Sequence, residues 1–423
     1  MLRKSMAAMA LGTLVVSCAP ETRQPMKVRA LVLSSNGEYV STPVELKTVT
    51  DIVSLEGQVA RFVGSASIQL SGSDPEVQGA GANEDALRRA MTKDSGRPIT
   101  ASYIADPQGV LTPADFHTWN VTTTYYNLER AWEYFKDVAN VPQADLPQTP
   151  VYYFPEFILA DLSDEPQRDN ALYFPPMGAF MVLPFDTLQR APLPINASIL
   201  THEYAHLVFN RRVFDGRALP PPLTNWAQEG FTPGLNVLKS LDEGLADYHA
   251  YVASCATSFG CNPKVLSTTY DDRLVAERDI STNRCMDALL YRQLTNDNLA
   301  QAVGLEYRVG TIIAHALFKS ASTPAERQAL SRSLIAAYSD TSQGTYGFNQ
   351  LASQNLNAQS NFTLARAALA IVQHVPEAGE LRTKVCNNFA NILQVPVSQL
   401  VGDGACSAGT TGAGECKPIN TNP

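Results

Sequence analysis

The sequence is poor in charge, and poorer in basic than in acidic residues. Only 17% of its 423 residues are charged, with 32 Lys and Arg against 41 Asp and Glu. Nucleic acid selects for dense Lys and Arg, so DNA and RNA are excluded as expected partners. No apolar run beyond the N-terminus approaches the ~20 residues of a membrane-spanning helix, which argues against a transporter or channel. No two cysteines stand at C-x-x-C spacing, which disfavours a zinc–cysteine site. There is no internal repeat. What remains is 45% apolar, enough for a large core and two or three subdomains.

Arg3 and Lys4 precede a short apolar stretch from Met6 to Val16, followed by Ser17 and Cys18. A basic start, an apolar middle too short to span and a small residue at the cut predict a signal peptide over residues 1–17. Val15-Val16-Ser17-Cys18 resembles a bacterial lipobox. That resemblance implies lipidation of Cys18, a location in the bacterial cell envelope and membrane contact through the lipid anchor alone. Ala19 stands where an Asp would mark inner-membrane retention, so the outer membrane is the expected address. An ordinary secretory peptide that happens to contain a cysteine is the alternative.

Without Cys18, six cysteines remain: Cys255, Cys261, Cys285, Cys386, Cys406 and Cys416. An even number in an exported chain predicts three disulfides. Local closure favours Cys255 with Cys261 and Cys406 with Cys416, leaving Cys285 to pair with Cys386.

The expected fold class is α+β, with a strand-rich front and a helical back. Residues 18–110 read as a β-rich N-terminal region, either a remnant pro-region or an accessory β domain. Val28, Ala30 and Val32 alternate, Asn36-Gly37 marks a hairpin turn, and Val59 to Leu70 alternates again. Ser71 to Asn83 is rich in Gly, Ser and Asp and reads as a loop. Residues 111–260 form the expected catalytic lobe. In it Val121, Tyr125, Leu128, Trp132 and Phe135 recur at helical spacing over Asn120–Asn140, and Pro142 to Pro150 reads as a linker. Strands are expected over Val151–Leu159 and Ala179–Leu183. Helices are expected near 197–212, 235–254, 304–320, 324–338, 361–374 and 377–393. Residues 261–401 make a helical C-terminal lobe, and 402–423 a Gly/Thr-rich tail.

One motif carries chemistry. His202-Glu203-Tyr204-Ala205-His206 is H-E-x-x-H inside a helical stretch that begins at the capping residue Asn196. Two histidines four apart share a helix face and can reach one metal ion, and imidazoles suit Zn²⁺ over Mg²⁺ or Ca²⁺. Glu203, rotated ~100° from His202, can reach a water on that ion. A catalytic zinc needs a third protein ligand. No Gly turn and no third His follow His206, so a Glu from the next helix is expected. Glu243 heads Glu243-Gly244-Leu245-Ala246-Asp247 in a proline-free run with a buried-face pattern. Asp247, one turn on, is placed to accept the outer N–H of a histidine ligand. Glu229 is the alternative ligand. It lies nearer in sequence to His206, but Pro233 disfavours a helix around it.

These residues resemble the gluzincin metallopeptidases, most closely the fungalysin family and more distantly thermolysin. The likeness rests on His202-Glu203-Tyr204-Ala205-His206 with Asn210-Arg211, and on Glu243-Gly244-Leu245-Ala246-Asp247. It implies a zincin-type catalytic domain holding one Zn²⁺ on His202, His206 and Glu243, with Glu203 as general base. Asp169-Asn170-Ala171 resembles the edge-strand segment of such families, implying that Asn170 and Ala171 pair with the substrate backbone. Tyr307-Arg308-Val309-Gly310 resembles their donor segment, implying that Tyr307 stabilises the oxyanion. The sequence departs from the pattern in a longer gap between His206 and Glu243, and in Asp242 where a Gly normally precedes the ligand.

His249, His315, Trp132 and Tyr125 read as structural. Arg308 reads equally as a group that binds a substrate carbonyl or pairs with an acid. The expected function is a zinc-dependent endopeptidase acting on peptides or proteins. The alternative is a zinc-holding, non-catalytic envelope lipoprotein that serves as an interaction module.

Overall fold

The computed structural model describes residues 25–81, 83–185, 191–215, 232–267, 272–295, 304–340, 347–352 and 362–419. The expected signal peptide, Cys18 and Glu229 lie outside them.

The alternating front forms β1 (Met26–Leu33) and β2 (Tyr39–Leu46), an antiparallel pair with Val28 opposite Val44. Gly37 at the turn takes φ +83°, a left-handed conformation that suits glycine. Short strands follow: β3 (Val49–Asp51), β4 (Glu56–Gly57), β5 (Ala60–Gly64) and β6 (Ser67–Leu70). The stretch expected to be a loop, Ser71 to Asn83, instead holds helix α1 (Pro75–Ala80), with α2 (Glu84–Met91) directly after it. Asp74 caps α1 by accepting from Glu76 N–H, and Pro75 occupies its first turn. These local signals outweigh the polar composition. Then come β7 (Thr92–Asp94), β8 (Arg97–Pro98), β9 (Tyr103–Ala105) and β10 (Leu111–Pro113).

Helix α3 (Phe116–Glu133) starts at Asp115, whose carboxylate accepts from Thr118 N–H, and runs on into a π-helical turn over Tyr134–Val138. Its buried Glu129 accepts the backbone N–H groups of Lys47 and Thr48, tying the β2–β3 connection to the helix. Tyr125 and Trp132 are buried, as expected of core residues.

Strands β11 (Thr149–Tyr153), β12 (Glu156–Leu159), β13 (Ala171–Phe174) and β14 (Ala179–Val182) complete the sheets. The largest runs β13-β14-β11-β5-β4-β3, with β8 beside β5. Within it β5, β11 and β14 are parallel, and β13 closes one edge antiparallel to β14. The other sheets run β2-β1-β10-β9 and β12-β6-β7.

The back is helical: α4 (Ala197–Val213), α5 (Pro233–Ser254), α6 (Asp272–Glu277), α7 (Ala288–Gln293), α8 (Leu305–Ser320), α9 (Pro324–Tyr338), α10 (Phe348–Ala352), α11 (Leu364–His374), α12 (Leu381–Asn391) and α13 (Val397–Gly402). Every helix expected there from periodicity is present. Pro233 begins α5, with Thr232 capping it, so this proline starts the helix that carries Glu243. One continuous apolar core joins α3, the inner strands and helices α4, α5, α8 and α9. The protein is mixed α+β, with strands in front and helices behind.

Two of the three expected disulfide pairings are corrected. Cys255 bonds to Cys261 as expected, but Cys285 bonds to Cys416 and Cys386 to Cys406. Nearness in sequence misleads because the tail folds back on α12. Asn391 donates to the carbonyl of Gly412 at 2.9 Å and to that of Cys416 at 3.4 Å. That contact carries Cys416 past Cys406 to Cys285.

Candidate metal centre

Asn196 starts α4 by accepting from Ser198 and Ile199 N–H at 2.9 and 3.2 Å. The helix then packs between α5 and β13. His202 and His206 stand one turn apart on it with their Nε2 atoms 3.0 Å apart. From α5, Glu243 brings Oε2 to 3.4 Å from His202 Nε2 and Oε1 to 3.8 Å from His206 Nε2. Three side chains from two helices thus converge on one point.

The outer nitrogen of each histidine faces a carboxylate. Asp247 Oδ1 lies 2.9 Å from His202 Nδ1, and Asp242 Oδ1 lies 2.8 Å from His206 Nδ1. Such partners fix the ring orientation and leave Nε2 to face the ligand. Asp247 stands where sequence reasoning put it. Asp242, read there only as a replaced glycine, has the matching job on the second histidine.

Arg278 is the residue that sequence reasoning missed. It grips Asp247 through Nε and Nη2 at 3.0 and 2.8 Å, and Nη2 also reaches Glu243 at 3.3 Å. Its guanidinium lies 4.9 Å from the centre of the Tyr307 ring. No motif surrounds it, and only the fold brings it to the site.

Glu203 lies beside the histidines, and its Oε2 accepts the Tyr173 N–H of β13 at 2.8 Å. Ala171 begins the same strand, and Asn170 immediately precedes it. The Asn170 carbonyl accepts from Leu183 N–H, so alternation along the strand turns the backbone of Ala171 and Tyr173 away from β14. Asn210, next to the H-E-x-x-H motif, accepts from the Tyr173 hydroxyl at 3.2 Å, and Arg211 pairs with Glu84 at 3.2 Å. Those two residues lock α4 to the edge strand and to α2.

Burial opposes charge throughout the site, and at His202, His206 and Glu243 the close pairs outweigh it. It pulls the His202 imidazole down, but Asp247 and Glu243 outweigh it and hold the group at about 10. His206 is likewise held at about 9, against burial, chiefly by Asp242. Burial pushes Glu243 up, yet His202, His206 and Arg278 bring it to about 2. Glu203 is raised, mainly by burial. Four carboxylates face two imidazoles and one guanidinium.

His202, Glu203 and His206 offer donor atoms within 4.8 Å of one another, and this cluster could hold a metal ion. All three line a cavity of about 1170 Å³, together with Glu243, Asn170, Ala171, Tyr307 and Arg308. Tyr307 is 45% exposed. Asp247 lies behind the ligands, fully buried. His249 and His315 are buried away from the centre, on Tyr134 Oη and the Ile280 carbonyl respectively, each at 2.8 Å.

No family model and no curated protein sequence matches the chain. The function is therefore argued from this geometry.

Proposed function

We propose that the chain is a zinc-dependent endopeptidase of gluzincin type. The observation that carries this reading is the convergence of His202, His206 and Glu243, with each histidine backed by a carboxylate and Glu203 alongside. Two imidazoles and a carboxylate match the donor chemistry of catalytic Zn²⁺. The paired orienting carboxylates are the usual support of such ligands. His202, His206 and Glu243 would hold the ion, which supplies Lewis-acid activation of water and of the scissile carbonyl.

The chain's own residues do the rest. The outer edge of β13 accepts an extended peptide through the backbone carbonyls that face away from β14, the Tyr173 N–H there being given to Glu203 and the Ala171 N–H to Asn170 Oδ1. Glu203, fixed by Tyr173 N–H, takes the proton of the attacking water and passes it to the leaving amine. Burial raises its pKa above the ordinary carboxylate value. The Tyr307 hydroxyl donates to the oxygen on which charge develops. Arg278 holds Asp247 and Glu243 in register, so that both helices present their ligands together.

Three disulfides accord with an exported protein, and no helix among the described residues is long and apolar enough to cross a membrane. Attachment through lipidated Cys18 belongs to the same proposal. Metal analysis combined with hydrolysis of a peptide library tests the reading. It requires cleavage that is lost on chelation and restored by Zn²⁺. A metal-loaded protein that cleaves no peptide would instead favour the non-catalytic alternative.

A further inference from the structure

We propose that the cavity beside this centre selects its substrate by a carboxylate, which Arg284 and Arg308 receive. The inference rests on the reading of the cavity as a peptide cleft and adds a substrate class to it.

Three arginines line the cavity, and they differ in what they already hold. Arg278 is occupied by Asp247 and Glu243. Neither of the others meets a carboxylate among the described residues. Arg284 Nη2 donates to the Ala276 carbonyl, while its buried Nε has no acceptor. Arg308 is exposed to the cavity, and its guanidinium has no ion pair. Five acids share this lining, Asp169, Glu203, Glu243, Glu277 and Asp287, of which Glu203 accepts from Tyr173 N–H and Glu243 pairs with Arg278. Glu277 pairs with Arg273 at 3.4 Å, and Asp287 caps α7 by accepting from Leu290 N–H at 2.8 Å.

Both arginines lie on segments joined to α8. Arg308 follows Tyr307 directly on α8. The segment that carries Arg284 is fastened to α8 where His315 meets the Ile280 carbonyl, and to the tail by the Cys285–Cys416 bond. Neither guanidinium is neutralised by a carboxylate of the described residues, so an incoming carboxylate meets two cationic groups that still lack a counter-charge. Guanidinium groups match carboxylates in geometry as well as charge. The carboxylate has two possible sources, an acidic side chain within the peptide or its free C-terminus.

The test measures binding to the zinc-loaded full chain with Glu203→Gln, by anisotropy of labelled hexapeptides of otherwise identical sequence at low salt. One series carries Glu at each position in turn with an amidated end, a second carries Gln with an amidated end, and a third carries Gln with a free carboxylate end. At least one carboxylate peptide should bind about tenfold tighter than the neutral one. That advantage should shrink as salt is added. Arg308→Gln should remove part of it and the Arg284→Gln, Arg308→Gln double variant nearly all, with the single exposed change leaving the thermal melt unmoved. The series that gains identifies the source. Equal binding of all three series, or an advantage that survives both substitutions, overturns the proposal while leaving peptide hydrolysis in place. Absence of both binding and hydrolysis overturns the cleft reading and this inference with it.

Discussion

Gly244 of α5 lies against Gly310 of α8 so closely that a Cβ on Gly244 would stand 2.5 Å from the Gly310 carbonyl oxygen. A Cβ on Gly310 would in turn meet Glu243 Cβ and Gly244 N at 3.0 Å. The two glycines set how near the helix bearing Glu243 comes to the helix bearing Tyr307. A Gly→Ala change in an unconstrained helix stabilises by about 1 kcal/mol. Gly244→Ala should do the opposite, lowering stability by roughly 1–3 kcal/mol through overpacking. Denaturant melts of the metal-free protein read the sign, and a stabilised variant would refute the close crossing.

Glu243, Asp242 and Asp247 separate ligand from support. Glu243→Ala should lose most zinc affinity. Asp242→Asn and Asp247→Asn should each weaken it by about 10–100-fold with the fold retained. Competition titration against a chelator measures all three. An Asp242→Asn protein with wild-type affinity would remove Asp242 from the account.

Arg278 neutralises two buried carboxylates. Arg278→Ala leaves the two acids only His202 as an adjoining cation and should cost up to about 3–5 kcal/mol in the metal-free protein. Bound zinc should recover part of that loss, because the ion compensates Glu243. Arg278→Lys keeps the charge but loses the two-pronged grip on Asp247, and should fall between. Melts of each protein with and without zinc give the comparison.

His249 provides a pH signature independent of the metal. Burial pushes its imidazole from 6.5 down to about 3. The unfolded chain therefore takes up a proton below about pH 6.5, while the folded chain does not until about pH 3. Stability from this residue is full above that window and falls as the pH drops through it. Between pH 7 and 5 the wild type should lose roughly 2 kcal/mol more than His249→Gln. Equal losses would show that the ring is protonated in the folded state.

Much of this was legible in the sequence, for physical reasons that also explain the failures. His202 and His206 stand one helix turn apart, so spacing alone predicts their shared face, with Glu203 ~100° round from it. Glu243 and Asp247 follow from the same periodicity on α5. Arg278 was invisible because it reaches the site through tertiary packing, with no local pattern around it. Asp242 was visible but undervalued, since its use depends on how α4 and α5 cross. The loop expected over Ser71–Asn83 failed because a cap and a first-turn proline specify a short helix that composition hides. The disulfides failed where Asn391 folds the tail back, a contact between residues too far apart in sequence for local closure to anticipate.

The central claim is that a metal held by His202, His206 and Glu243 serves peptide hydrolysis with Glu203 as base. The most direct test compares wild type and Glu203→Gln for zinc content and peptide hydrolysis in the same preparations. Both should bind about one zinc per chain, while the variant loses at least roughly two orders of magnitude in turnover. Near wild-type turnover in zinc-loaded Glu203→Gln would contradict the account.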